Sequence, residues 1–207
     1  MTFIPIMLDL KGRKVVVIGG GHVAKRRIDS LLDSEAFLTV ISPKLIPELI
    51  HYYEEARINW EQKCFSPDDV DEAFLIIVAT NNRTVNNTVV ESTPSNRLIN
   101  AADKADVGNV HFPAHFERGK LTVAISTHGA SPLFAKKIKK DLSNQYDESY
   151  EQYLDFLFEA RQLLKQSNLP HQERRNHLHE ILSDEYLDPQ AQKKMLHSLE
   201  HYIKPPI

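Results

Sequence analysis

Residues 14–24 join two opposed backbone habits within eleven positions, and few folds accept that junction. Val15-Val16-Val17-Ile18 is an unbroken β-branched run, which favours a strand covered on both faces. It runs straight into Gly19-Gly20-Gly21, and a helical pattern begins at His22. Glycine lacks a Cβ, so the chain can turn sharply and approach a ligand closely. The helix that follows aims its first free N–H groups and positive dipole end back at the turn, a setting that attracts phosphate. The spacing Gly19-x-Gly21-x-x-Ala24 matches the dinucleotide-binding βαβ fingerprint, with Ala at the third small position. A glycine-rich turn that merely packs tightly is the plainer alternative, but the preceding strand, the following helix and the N-terminal position favour a nucleotide site.

The rest of the first half keeps the rhythm that a parallel sheet requires. Strands are expected at Lys14–Ile18, Phe37–Ser42, Ile58–Trp60, Phe74–Thr80 and Leu98–Ala102, with Phe74–Thr80 apolar throughout and hence central. Helices are expected at His22–Leu32, Lys44–Glu55 and Arg83–Thr93, with a short turn near Asp68–Asp71. Pro43 reads as lying at or near a helix start, where a missing N–H is harmless.

After residue 103 the rhythm changes. His111–Phe116 and Leu121–Ser126 read as an antiparallel hairpin turning at Gly119. Ser131-Pro132 is a natural cap and first residue for a helix carrying Lys136, Lys137, Lys139 and Lys140. A hairpin with one helix cannot bury both its faces, so pairing with a second copy is expected. From Asp147 the pattern is helical. Tyr150, Leu154, Leu157, Phe158 and Leu164 supply an apolar stripe, Leu169-Pro170 breaks it, and helices follow at His171–Leu182 and Pro189–Ile203. The expected organisation is α/β: a Rossmann parallel sheet over 1–112, a hairpin-plus-helix dimerisation element over 113–146, and a C-terminal helical domain over 147–207.

Composition excludes several classes. No apolar run reaches the roughly 20 residues that span a bilayer, so no membrane association is expected. The start lacks a basic region and a cleavage site, and reads as no signal peptide. Cys64 is alone, which rules out an internal disulfide and suits a reducing cytoplasm. The net charge of −3 argues against nucleic-acid binding. Ten histidines are present, but none form a HExxH pair, and His177 and His179 do not share a helical face. No metal site is expected.

In dinucleotide sheets the ligand lies beyond the carboxyl ends of the strands. Those ends offer Gly19, Gly21, His22 and Val23; Ser42, Pro43 and Lys44; and Thr80 and Asn81. The acid that usually follows the second strand and holds the adenosine ribose is missing. Backbone groups or Ser42 can replace it, and Lys44 would suit a 2′-phosphate, so these residues alone leave NAD and NADP open. Asp103 closes the fifth strand. It reads either as a general base beside the cofactor or as a turn-forming residue. Ser126, Thr127 and His128 read as ligand-binding or helix-capping groups; without a third member or a nucleophile elbow they make no hydrolytic triad. The lysines from 136 to 140 read as an anion-attracting surface or as a solvated helix face.

Four segments together resemble a known family: FIPIMLDLKGRKVVVIGGGHVAKRR (3–27), VATNNRTVN (78–86), INAADKADVGNVHFPA (99–114) and LTVAISTHGASPLFAKKIK (121–139). They look like siroheme synthase N-terminal domains. That family comprises precorrin-2 dehydrogenases and the dehydrogenase/ferrochelatase half of bifunctional siroheme synthases. The resemblance covers about residues 1 to 145, and the expected form lacks the methyltransferase domain of the bifunctional proteins. It implies NAD-dependent oxidation of the tetrapyrrole precorrin-2 to sirohydrochlorin, in siroheme or cobalamin synthesis, by a cytoplasmic homodimer. By motif position it places NAD contacts at His22-Val23 and Pro43-Lys44, and the catalytic aspartate at Asp103. For such a polycarboxylate substrate, Ser126, Thr127, His128 and Lys136 are the expected contacts. The family often has Ser-Ser-Gly-Gly where this chain has Ser126-Thr127-His128-Gly129, so Thr127 and His128 depart from the pattern. Two rivals stand beside this reading: a bifunctional enzyme that also inserts iron or cobalt, using Asp103 and His128, and a non-catalytic NAD(H)-sensing domain.

Overall fold

The computed structural model describes residues 3–102 and 107–203. The chain divides into two compact units, Met1–Phe112 and Pro113–Ile207.

In the first unit, β1 (Lys14–Ile18), β2 (Phe37–Ile41), β3 (Asn59–Glu61), β4 (Leu75–Val78) and β5 (Leu98–Ala101) form one parallel sheet in the order β3-β2-β1-β4-β5. The helices α1 (His22–Asp29), α2 (Pro47–Glu54) and α3 (Arg83–Ser92) connect them, and a 3-10 turn covers Pro67–Val70. The register fixes the two faces: Val15 and Val17 pair with Leu75 and Ile77, while Val16 and Ile18 pair with Ile76 and Val78. The first set joins Ala24, Ile28 and Leu49 in one core layer. The second joins Val70, Ala73 and Val89 in another. Apolar residues on successive positions therefore serve both layers, which is why β1 and β4 show no alternation.

The helix expected from Lys44 begins later. Residues 43–46 stay non-helical because Ser42 Oγ donates to the Lys44 carbonyl (2.8 Å) and the Ile46 N–H donates to Gly20 O (2.9 Å). Pro47, not Pro43, is the proline at the helix start.

In the second unit, β6 (Ala114–Arg118) and β7 (Leu121–Ile125) form an antiparallel hairpin. Residues 111–113, expected as strand, lie outside it. The turn is the pair Gly119-Lys120, with Gly119 at φ +52, the sign that tight hairpin turns require. The Glu151 side chain packs where a Cβ on Gly119 would stand.

Helices α4 (Pro132–Gln145), α5 (Ser149–Gln166), α6 (His171–Glu180) and α7 (Pro189–Glu200) follow, with a 3-10 turn at Asp184–Leu187. The helical core gathers Tyr153, Phe156, Ala160, Leu164, Ile181, Tyr186 and Leu199. Tyr150, Leu154 and Leu157 pack against it. Phe158, expected on the buried stripe, is half exposed and lies under the Lys120 ammonium. Tyr153 donates its hydroxyl to Ile181 O (2.9 Å), so burial is satisfied at its polar end. No helix among the described residues is long and apolar enough to cross a membrane.

Candidate functional site

The glycine turn does three different jobs in three residues. Gly19 has φ +124, and a Cβ there would strike the backbone of Ala79. Gly20 lies against the β2–α2 loop, where a Cβ would meet the Lys44 carbonyl, Leu45 and Ser42. Both glycines are accounted for by the protein itself. Gly21 is not: its φ of −100 suits any residue, and beyond its chain neighbours no atom of the described residues lies within 4 Å of the Cβ position. It is also the N-cap of α1, which has no side-chain cap bond among the described residues. The first-turn N–H groups, from His22 onward, therefore face outward beside an empty approach. Ala24, the third small position, is fully buried in the sheet-facing core. A backbone bare of Cβ before an uncapped helix N-terminus is the arrangement that a pyrophosphate requires. The residues present fit a dinucleotide.

The β2–α2 loop is tied by hydrogen bonds at both its start and its neighbours. The Gly19 N–H donates to Ile41 O (3.0 Å), and the Trp60 indole N–H donates to Ser42 O (2.9 Å). Ser42 is buried with its hydroxyl turned inward to Lys44 O. Pro43 and Lys44 are the exposed residues of that loop.

After β4, Thr80 closes on itself. Its hydroxyl donates to Asn86 Oδ1 (2.5 Å) and accepts from the Asn82 N–H (3.1 Å), while Asn86 Nδ2 donates to Thr80 O (3.1 Å). Asn82 caps α3, accepting from the N–H groups of Thr84 (3.0 Å) and Val85 (3.2 Å). Asn81 between them is exposed. The topology thus brings Gly19–Val23, Ser42–Lys44 and Thr80–Asn82 together at the carboxyl edge of the sheet. Asp103 follows β5 in sequence and lies outside the described residues.

Sequence reasoning missed what surrounds the end of β5. Asn109 returns along the free edge of that strand. Its side-chain Oδ1 accepts from the Ile99 N–H (2.7 Å), its Nδ2 donates to Arg97 O (2.8 Å), and its own N–H donates to Ile99 O (3.0 Å). Gly108 allows the approach, since a Cβ would stand 2.6 Å from Ile99 O. Asn100 is buried within β5 and donates Nδ2 to Val110 O (2.7 Å). An Asn in a strand centre was the available signal.

In the second unit, Thr127–Ala130 form a mirror-image turn. The Ala130 N–H donates to Thr127 O (2.9 Å), and the central residues His128 and Gly129 have φ +48 and +84, as type I′ geometry requires. Thr127 Oγ1 donates to Ser131 O (3.1 Å) and accepts from the Ser131 N–H (3.2 Å). Ser131 in turn caps α4 through the Phe134 N–H (3.2 Å). Ser126 Oγ accepts from the His128 N–H (3.1 Å), which leaves its O–H free to donate. The His128 imidazole is exposed, as are Lys136, Lys137 and Lys140 along α4.

Comparison with known proteins agrees with this geometry. A family model described as putative NAD(P)-binding matches residues 6–114. The models for the sirohaem biosynthesis protein central region and for the SirC C-terminal domain match 118–145 and 150–195. A precorrin-2 dehydrogenase of Priestia megaterium is 41% identical over 198 residues, covering 95% of this chain and 98% of that protein. One from Bacillus subtilis is 35% identical, covering 76% of this chain and 98% of its own length. A siroheme synthase of Actinobacillus pleuropneumoniae is 36% identical over 143 residues, but these span only 29% of it. The solved structure of SirC, a precorrin-2 dehydrogenase, superposes with a TM-score of 0.85 at 40% identity, covering 97% of this chain and all of that one. With relatives matched nearly from end to end, this chain belongs to the precorrin-2 dehydrogenase family.

Proposed function

We propose that the chain oxidises precorrin-2 to sirohydrochlorin with NAD as acceptor. The observation that carries this reading is the open N-terminus of α1, where Gly21 has no internal reason to be glycine. The end-to-end relationship to precorrin-2 dehydrogenases supplies the substrate class. Gly19, Gly21, His22 and Val23 would hold the pyrophosphate. Pro43 and Lys44, on a loop shaped by Ser42, would line the adenosine side, and Thr80 and Asn81 the part beyond β4.

The reaction removes two hydrogens from the macrocycle, one as hydride and one as a proton. When bound, the nicotinamide supplies the hydride acceptor. Asp103 is assigned as the base, taking the proton on its carboxylate or balancing the cation left behind. The substrate is a polycarboxylate, so cationic and donor groups should hold it. Lys136, the Ser126 O–H and the His128 imidazole are exposed for that role. Thr127, its hydroxyl engaged with Ser131, holds the turn that carries them.

We place the protein in the cytoplasm as a homodimer. Leu133 and Phe134, 78% and 54% exposed at the start of α4, are the surface that a second copy would cover.

The test is direct. Purified protein supplied with precorrin-2 and NAD should produce sirohydrochlorin absorbance and NADH together, and NADP should be compared in parallel. Absence of NAD-dependent turnover would refute the assignment. Asp103→Ala should retain NADH affinity within about twofold and lose turnover by 100-fold or more, in the range that general-base removal produces. Equal turnover in that variant would remove Asp103 from the mechanism.

A further inference from the structure

Helix α7 runs out through His197-Ser198-Leu199-Glu200-His201, a stretch with no part in the cofactor or substrate reading. Residues four apart share a helical face, and His201, the C-cap, keeps helical backbone angles (φ −66, ψ −18). The two imidazoles stand side by side, their ring centroids 4.9 Å apart. Among the described helices no other histidines have this spacing. The order H-x-x-E-H is the reverse of the HExxH pattern, so a search for the usual order passes over it.

The scaffold beneath the pair is fixed. Leu199 is buried in the helical core and Leu196 packs against it, while His201 and the His197 side chain, 77% exposed, face solvent. Helix ends commonly fray, but this one is tied. The Tyr202 carbonyl accepts from the Asn168 N–H (3.3 Å), and the Tyr202 ring lies 5.8 Å from that of His177.

The ring nitrogens are not equivalent. His201 Nδ1 lies 2.7 Å from His197 O. A carbonyl only accepts, so Nδ1 carries the proton, and in the neutral ring the lone pair falls on Nε2. His197 Nδ1 faces the Glu200 carboxylate at 3.4 Å, which favours the same tautomer. Oxygen acceptors behind Nδ1 leave Nε2 as the ligand atom, the arrangement that prepares an imidazole for a metal. His51 differs, because its Nε2 is the atom that meets Glu55 (3.2 Å). Capping explains His201 alone, through its bond to His197 O. It gives no reason for a second imidazole one turn earlier.

We propose that His197 and His201 form a binding site for a divalent transition ion of the copper, nickel and zinc kind, held through both Nε2 atoms. Neutral imidazoles select such ions over calcium and magnesium, which take oxygen ligands. Glu200 acts on the ion through the His197 ring. No group of three metal-ligating side chains occurs among the described residues, so water fills the remaining positions. Catalytic zinc sites use three protein ligands; a two-point site suits reversible binding. The site lies outside the dehydrogenase reading and does not depend on it.

The test uses the full chain without an affinity tag, the variants His197→Ala and His201→Ala, and His179→Ala as an exposed control. Calorimetric titration with copper(II), nickel(II) and zinc(II) should show a site for a single ion, with copper tightest. Either ligand variant should weaken nickel and zinc binding by about tenfold or more, and His179→Ala should bind as the wild type does. Electron paramagnetic resonance of the copper-loaded protein should show nitrogen couplings from two imidazoles, reduced to one in each ligand variant. The substituted side chains are exposed, so the metal-free variants should melt with the wild type. Binding unchanged in both ligand variants overturns the proposal, as does an equal loss in His179→Ala. Calcium bound as tightly as nickel also overturns it. Independently of any variant, a wild-type copper spectrum with oxygen ligands alone overturns it.

Discussion

Helices α1 and α3 follow β1 and β4, which are hydrogen-bonded neighbours in the sheet, yet their N-termini are finished in opposite ways. Asn82 closes α3 by accepting two of its first-turn N–H groups, and Thr80 and Asn86 tie the preceding turn shut. Gly21 leaves α1 without a side-chain cap. Both helices bring a positive dipole end to the same edge. Of the two, α1 alone has no side-chain acceptor on its first-turn N–H groups among the described residues. Between these two helices the dipole makes no distinction; the presence or absence of a capping side chain does.

Three substitutions probe this contrast. The largest effect is expected from Gly20→Ala, whose Cβ meets the Lys44 carbonyl and the Leu45 and Ser42 side chains. Crowding of this kind costs roughly 1–3 kcal/mol, so thermal unfolding should show a clear loss of stability. Because the same loop carries Pro43 and Lys44, NADH titration should show binding almost gone. Gly21→Asn transplants the α3 arrangement onto α1. Stability should rise by only a few tenths of a kcal/mol, while NADH affinity falls tenfold or more, because the new side chain takes the donors meant for phosphate. If affinity survives, the open helix end is not where the cofactor binds. The smallest effect is expected from Asn82→Ala, which removes a cap worth about 1 kcal/mol. It should lower the melting temperature by a few degrees and leave NADH affinity within about threefold.

Much of the first unit was legible because its signals are local. A β-branched run entering three glycines fixes a strand, a turn and a helix in place, and β1 spans Lys14–Ile18 as the residues indicate. The continuous apolarity of Leu75–Val78 marked β4 as central. Other features depend on what the chain meets at a distance. The delayed start of α2 depends on Gly20 accepting from Ile46, a contact between residues 26 positions apart with no periodic trace. Phe158 has the spacing of the buried stripe but turns to the Lys120 side. In the candidate site, the glycines and strand ends could be read directly. Whether a hydroxyl turns outward could not: Ser42 and Thr127 both look like ligand contacts in sequence, and both spend their donor within their own turns. The Asn109 amide mimics a strand residue with a side chain, so the period-two pattern by which strands are recognised never registers it.

The same amide has a consequence for how copies of this chain can assemble. Sheets commonly join by adding strands across an open border. Here one border, β3, is three residues long and ends in Glu61; the other is occupied by Asn109 and its neighbours. Neither offers the row of unpaired peptide groups that strand addition needs. Strand addition across the borders of the first unit's sheet is thereby disfavoured, and the open borders of the chain's sheets are those of the two-stranded β6–β7 hairpin.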